Sequence, residues 1–342
     1  VIKSDTPIRE LQFSYLGYKM ERRRVQPGVT ALNVRISSQA LPLNESFAIT
    51  GDPWHIIREA LYKVKDNYPQ EPELLECFYR ETVRKRSRYT YISEAVARLY
   101  KTGYNRSVYA DRAAIEKSRV LLSQRRSDTL SVKMMGGPTE PLLLDVVKNP
   151  EVLLDENMDR YYVASLGSTA YIDDRPQFVI GLRPAEKTDF ALYYGTLYID
   201  MQTMAFTRAE LSLDMSDKGA ATRIILVKKP LGLRFTPKQV SLTMNYSSSG
   251  GKYRLSYFRS DIQFNCDWKK RLIATSYSLV NELVITDLRA DVQPISRADM
   301  FKPSDILSEK SSEFSDPDFW DDYNIIEPSE SLEHAIGRLR KH

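Results

Sequence analysis

From Arg160 to Asp287 the chain repeats one pattern: a short run rich in aromatic and β-branched residues, then turn residues, then another such run. RYYVASLG, QFVIGLRP, FALYYGTLYID, AFTRAELSLDM, ATRIILVKK, FTPKQVSLTMNY, KYRLSYFRSDIQFN and TSYSLVNELVITD follow one another at intervals of roughly 10–15 residues. That rhythm predicts an antiparallel meander, with NYSSSGGKY as a hairpin tip. Upstream, LECFYRETV and YTYISEAVARLYK flank the charged turn Arg84–Arg88 and predict a further hairpin, and PLLLDVVKNPEVLL predicts a short helical interruption. The 21 tyrosines and 12 phenylalanines, set against 14 glycines, favour strands over a helical bundle. A sheet of this many strands curls or closes, because large flat open sheets are uncommon. With few helices to cover it, a concave face lined by Leu, Ile, Tyr and Phe is suited to holding something apolar.

The two ends of the chain read differently. Residues 8–36 predict two or three strands: IRELQFSYLGYKMERRRV, in which FSYLGYK bends or bulges at Gly17, and ALNVRIS after the turn at Pro27-Gly28. LPLNESFAITGD predicts another extended piece. Asp52 then has the position of an N-cap with Pro53 at the first helical position, and Trp54, Ile57, Leu61 and Val64 share one helix face. Pro69 and Pro72 end that region. At the other end, SESLEHAIGRLRK predicts a helix whose apolar stripe is Leu332, Ala335, Ile336 and Leu339. Phe314, Phe319, Trp320, Tyr323, Ile325 and Ile326 are too many large apolar groups for a disordered tail, so this segment is expected to clamp back onto the body. The expected organisation is therefore 1–50, a helical linker 51–72, a curved antiparallel sheet domain 73–298 and a C-terminal clamp and helix 299–342.

At 342 residues, 42% hydrophobic and 27% charged, the chain has the composition of an ordinary globular protein. No apolar run approaches the ~20 residues of a membrane helix. The opening VIKSDTPIREL lacks the basic and apolar regions of a signal peptide. Cys77 and Cys266 are expected to be unpaired small hydrophobes. The net charge of +4 hides an uneven distribution: residues 80–126 hold thirteen basic and four acidic residues, and 299–334 hold two basic and eleven acidic. The basic stretch carries no nucleic-acid-binding motif and reads as strand, charged turn, strand, so no nucleic-acid partner is expected.

The search for chemistry returns little. His55 sits in HIIRE, where Arg58 occupies the position a zinc-peptidase carboxylate would need and Glu59 comes one residue late. No nucleophile elbow, P-loop or dinucleotide fingerprint occurs, and Gly136-Gly137-Pro138 reads as a turn. Asp316, Asp318, Asp321 and Asp322 cluster as calcium ligands could, without the spacing of an EF-hand. No catalytic, cofactor-binding or metal-binding residue is assigned, no cofactor is expected, and ligand-binding residues are left open. Among forty-five acids nothing in the sequence picks out one pair for proton transfer.

LQFSYLGYKMERRRV followed by ALNVRIS resembles the second half of the carboxypeptidase-like regulatory domain, a small β-sandwich of Bacteroidetes envelope proteins with no peptidase activity of its own. The first half of that domain is missing, so the resemblance implies a partial β-sandwich over 1–50. NYPQEPELLECFYRE, YISEAVARLY, GGPTEPLLLDVVKNP and DFWDDYNIIEPSESLEHAI resemble landmarks of the same group of proteins. YYGTLYIDMQTMAFTRAELSL is similar to the hairpin of the outer-membrane lipoprotein carrier family, with Gly195, Ile199-Asp200 and Thr203 at the matching places. This implies a mainly β (α+β) fold, an unclosed barrel or large curved sheet wrapped around a few helices with an apolar cavity. It also implies a periplasmic or outer-membrane-associated, non-catalytic binding protein for a lipid, an acyl chain or a lipid-modified partner. The alternative is a structural or adaptor module docking on an outer-membrane transport or assembly complex. A carrier needs an apolar cavity that opens; an adaptor needs an exposed patch and a filled interior.

Overall fold

The computed structural model describes residues 10–13, 21–26, 32–37, 51–123, 125, 130, 132–268 and 274–311. Near the start, β1 (Glu10–Phe13) and β2 (Glu21–Arg24) form a separate antiparallel pair. Of FSYLGYK only Phe13 lies among the described residues, opposite Glu21. Residues 32–37, expected as a strand, join no ladder among the described residues. Most of LPLNESFAITGD lies outside the described residues.

The first helical piece forms as its sequence predicts. The Asp52 carboxylate accepts the Trp54 N–H at 3.0 Å, Pro53 opens α1 (Pro53–Tyr62), and α2 (Val64–Asn67) continues it. Ile57 is fully buried and Trp54, Leu61 and Val64 pack against the core. Ile56 and Ala60 are buried as well, so the apolar stripe is wider than the four-residue face. β3 (Glu73–Lys85) and β4 (Arg88–Lys101) make the expected hairpin, with Arg86 at φ +55° in its turn. β5 (Arg112–Leu122) pairs with β4 and was not anticipated. Glu116, Lys117 and Arg119 interrupt its apolar pattern, and a bulge at Val96/Ala97 shifts its register.

A covering strip follows. It comprises β6 (Lys133–Met134), α3 (Glu140–Leu143), a 3-10 turn at Pro150–Val152 and α4 (Met158–Tyr161), which accounts for the helical interruption. The meander then runs through β7 (Tyr162–Leu166), β8 (Ala170–Ile172), β9 (Arg175–Pro184), β10 (Tyr193–Asp200) and β11 (Phe206–Leu213). ATRIILVKK is a correction to the strand series. Its first part lies in α5 (Lys218–Ile225), and only β12 (Leu226–Lys228) is extended. The Asp217 carboxylate caps the Gly219 and Ala220 N–H groups at 2.7 and 3.0 Å, and Ala220, Ala221 and Ile225 are buried, so cap and core contact outweigh the β-branched residues. Three long strands complete the sheet: β13 (Leu233–Ser249), β14 (Lys252–Trp268) and β15 (Ser276–Arg289). Gly250 and Gly251, at φ +59° and +76°, form the tight tip expected of NYSSSGGKY. A short α6 (Leu307–Lys310) ends the described chain.

The main sheet has eleven antiparallel strands in the order β5-β4-β3-β15-β14-β13-β11-β10-β9-β7, with β8 also paired to β9. Its outer strands do not pair with each other, so the sheet is open, as the mainly β reading predicts. Tyr68 gives a measure of its curl. Its ring lies 4.7 Å from that of Tyr104, just beyond β4, while its hydroxyl donates to the carbonyl of Phe206, in β11, at 2.7 Å. Those strands are five positions apart, about 24 Å in a flat sheet at 4.8 Å per strand. The covering strip and helices therefore sit in a concavity. Residues such as Leu75, Cys77, Leu279, Leu283, Phe258 and Met244 form its floor. After β15 the chain returns along this side: the Phe301 N–H donates to the Ala113 carbonyl at 2.8 Å, and Ile295, Phe301 and Leu307 are buried. The predicted clamp from Phe314 onward and the final helix lie outside the described residues.

Candidate functional site

On the floor of the concavity Val83 of β3 stands directly opposite Leu279 of β15, and Glu81 opposite Asn281. Two segments lie over them: residues 132–137, anchored by β6 pairing with β12, and residues 305–307. Between floor and cover is a cavity of about 60 Å³. Val83, Leu279, Val132, Met134, Met135 and Leu307 supply most of its apolar wall, and Glu81, Lys133 and Asp305 its charged groups. Among the described residues the cover is held by the β6–β12 ladder, by the Met135 N–H to the Ile225 carbonyl at 3.1 Å, by the Gly137 N–H to the Tyr79 hydroxyl at 2.7 Å, and by an exposed Lys133–Glu309 ion pair at 2.8 Å. Gly137, at φ +78°, packs so closely that a Cβ there would come within 2.3 Å of the Phe301 ring. The Gly136-Gly137-Pro138 turn thus serves to lower the backbone onto the floor.

Polar chemistry concentrates beside this cavity. The Tyr79 hydroxyl donates to Glu81 Oε2 at 3.1 Å. Burial pushes the Glu81 carboxyl above its ordinary range, against the hydrogen bonds it accepts. Glu140, at the start of α3, accepts from Ser260 Oγ at 3.0 Å and Asn281 Nδ2 at 2.6 Å. Burial pushes its carboxyl up to about 8, and the neighbouring Glu81 adds to the rise. Neither acid has a basic partner among the described residues. Near neutral pH the Glu140 group is therefore a neutral hydrogen-bond donor. The buried Asn281 Oδ1, Ser118 Oγ and Thr139 Oγ1 have no hydrogen-bond partner.

A second polar cluster is structural. Asp145 in the covering strip pairs with Lys101 at the end of β4 and accepts from the hydroxyls of Tyr246 and Tyr104 at 2.8 and 3.1 Å. Burial opposes its ionisation, but the Lys101 ammonium and the tyrosine hydroxyls hold its carboxyl below the usual range. Lys148 pairs with Asp111 at 2.6 Å. Burial and the nearby Lys101 charge lower its ammonium to about 8. These two pairs fasten the strip at one end.

The outer face carries an open groove of about 550 Å³ beside the β-bulge of β13 at Asn245/Tyr246. It is lined by polar groups including Thr243, Asn245, Ser247, Arg208 and Arg259. Its arginine charges are met within the protein: Arg208 by Glu210, Arg259 by Asp261 and Glu282. The groove thus offers hydrogen bonds more than net charge.

The residues that sequence reading weighed lie elsewhere. His55 is exposed on α1, 3.9 Å from Glu59. Cys77 and Cys266 are buried and free, on separate strands. Burial pushes both thiols up, Cys266 to about 11, so neither offers a thiolate at neutral pH. Asp316, Asp318, Asp321 and Asp322 lie outside the described residues, and no group of three or more metal-ligating side chains occurs among those described. Glu81 and Glu140 were missed because their burial and their proximity are products of the fold. Within the hairpin Tyr193–Leu213, Asp200 Oδ1 accepts from the Thr203 N–H at 2.7 Å and the Thr203 hydroxyl at 2.8 Å, so this pair shapes the turn.

No protein-family profile matches the chain, and no curated protein matches it. Solved structures similar to it include an outer membrane lipoprotein-sorting protein domain from Vibrio parahaemolyticus, with 12% identity, 69% of this chain and 90% of that chain covered, and a TM-score of 0.28. A DUF1329 family protein from Desulfovibrio piger has 10% identity, coverages of 72% and 97%, and a TM-score of 0.29. A LolA superfamily protein from Nitrosomonas europaea has 12% identity, coverages of 68% and 94%, and a TM-score of 0.21. Similarity of this degree leaves the site's chemistry to be read from its own residues. No helix among the described residues is long and apolar enough to cross a membrane.

Proposed function

We propose that this protein is a non-catalytic binding protein of the cell envelope, periplasmic or outer-membrane-associated, that takes an acyl chain of a lipid or lipid-modified partner into the concavity of its sheet. The observation that carries this reading is the cavity beneath residues 132–137: a largely apolar wall, two methionines in its cover, and the half-buried Glu81 carboxyl on its floor. Methionine repacks easily around apolar guests. Burial favours the protonated form of the Glu81 carboxyl, which gives an ester or acid head a hydrogen-bond partner. About 60 Å³ is room for roughly two waters, less than half of the ~150 Å³ that holds a benzene. An acyl chain therefore enters only as the cover lifts, and the cover's weakest tie, the exposed Lys133–Glu309 pair, contributes under about 1 kcal/mol.

A fluorescent fatty acid titrated into the purified protein should bind saturably, and native mass spectrometry of protein taken from its own membrane fraction should show a co-purifying lipid. Leu279→Trp, which fills the cavity, should abolish binding. Should that variant fail to fold, a bis-maleimide joining Lys133→Cys to Glu309→Cys should abolish binding in the linked form only. Binding that survives both filling and linking would refute the site. The polar groove on the outer face supports a second reading, a module docking on an outer-membrane protein. That reading gains if no acyl probe binds and the interior stays filled.

A further inference from the structure

We infer that the turn at Pro230–Leu233, with its basic flanks, docks the protein onto the surface of an anionic phospholipid bilayer. Leu231 is 98% exposed, the most exposed of the large hydrophobic side chains described. It is not a loose tip. The Leu233 N–H donates to the Pro230 carbonyl at 3.3 Å, Gly232 takes φ +82°, and Lys229 Nζ donates to the Leu233 carbonyl at 2.8 Å. Glycine third in a four-residue turn is what a type II turn requires, and it fixes Leu231 at the corner. Two further large apolar side chains stand close in the fold. Trp268, 47% exposed, ends β14 opposite Leu233, and Val227, 46% exposed, lies in β12 just before the turn.

The stretch of chain that forms this tip carries charge of one sign. Residues 218–238 contain six basic residues and no acidic one, and Lys228 and Lys229, which enter the turn, are exposed. The acid nearest in the ladder, Asp267, is buried and holds the Thr275 hydroxyl at 2.9 Å. An exposed leucine and a half-exposed tryptophan, with the exposed Lys228 and Lys229 entering the turn, suit the headgroup region, where Trp is enriched and each basic residue near an anionic surface adds roughly fivefold to partitioning. A nucleic acid would use the lysines but has no place for Leu231. The proposal does not rest on the acyl-binding reading, since the tip lies outside the cavity and its test contains no acyl probe.

The test is vesicle flotation with the full chain, comparing phosphatidylcholine vesicles with and without phosphatidylglycerol, together with tryptophan emission. Wild type should float with the phosphatidylglycerol vesicles, lose that binding at high salt, and show a blue shift on binding that Trp268→Phe removes. Leu231→Ser, at a side chain that packs on nothing, should weaken binding roughly tenfold or more. Lys228→Glu with Lys229→Glu should do the same. Absence of wild-type binding, binding indifferent to phosphatidylglycerol, or binding unchanged in Leu231→Ser would overturn the proposal. So would an RNA oligonucleotide that competes fully while Leu231→Ser has no effect on either ligand.

Discussion

Replacing Glu140 by glutamine should abolish a large part of the stability loss that the wild-type protein undergoes as pH rises from about 5 to 8. The Glu140 carboxyl has an ordinary value of 4.5, and burial in the fold raises it to about 8. Between these values the native state keeps a proton that the unfolded chain has released. Stability from this group is therefore complete below the unfolded value and is lost as pH climbs through the folded one. At about 1.4 kcal/mol per pH unit, the whole interval corresponds to roughly 5 kcal/mol. Relaxation around a newly buried charge reduces this, and about 2–4 kcal/mol is the expected loss. Glutamine keeps the neutral shape: its oxygen accepts from Asn281 and its amide donates to Ser260 Oγ, the partners Glu140 already has. Urea unfolding followed by circular dichroism should give nearly equal stabilities for Glu140→Gln and wild type near pH 5. A gap in favour of the variant should open progressively toward pH 8. Glu81, raised in the same direction, keeps some slope in both proteins. Asp145 and Asp200 are held low and lose their contribution only at more acid pH. A gap that is the same at both ends of the range would show that Glu140 titrates normally in the fold, and the buried-acid argument would fall.

Two other substitutions probe how the frame is held. Asp145→Asn leaves the Lys101 ammonium buried without its partner and should cost about 3–5 kcal/mol in the same urea assay; a cost under about 1 kcal/mol would mean that the pair does not fasten the strip. Gly195→Ala places a Cβ 2.0 Å from the Glu210 carbonyl oxygen and should cost about 2–4 kcal/mol. Gly250→Ala, with nothing within 4 Å of its Cβ, should cost only about 1–2 kcal/mol of left-handed strain; equal costs would refute the close-approach account.

What the sequence determined by itself is local. Alternation of apolar and polar residues marked most of the long strands. Asp52-Pro53 marked a helix start, and Gly250-Gly251 marked a hairpin tip, because each depends on neighbours only a few residues away. Reading failed where a distant partner decided the outcome. β5 forms because β4 offers it an edge, although its own pattern is broken by Glu116, Lys117 and Arg119; residues 32–37 alternate well and join no ladder among the described residues. The first part of ATRIILVKK becomes helix because Asp217 caps it and the core takes Ala221 and Ile225, and only Leu226–Lys228 stays extended. The candidate site belongs wholly to the tertiary structure. Glu81, Glu140, Ser260 and Asn281 are scattered over two hundred residues, and only the curl of the sheet and the strip laid across it bring them together. Their raised protonation comes from exclusion of water, a property of the packed interior that no short stretch of sequence carries.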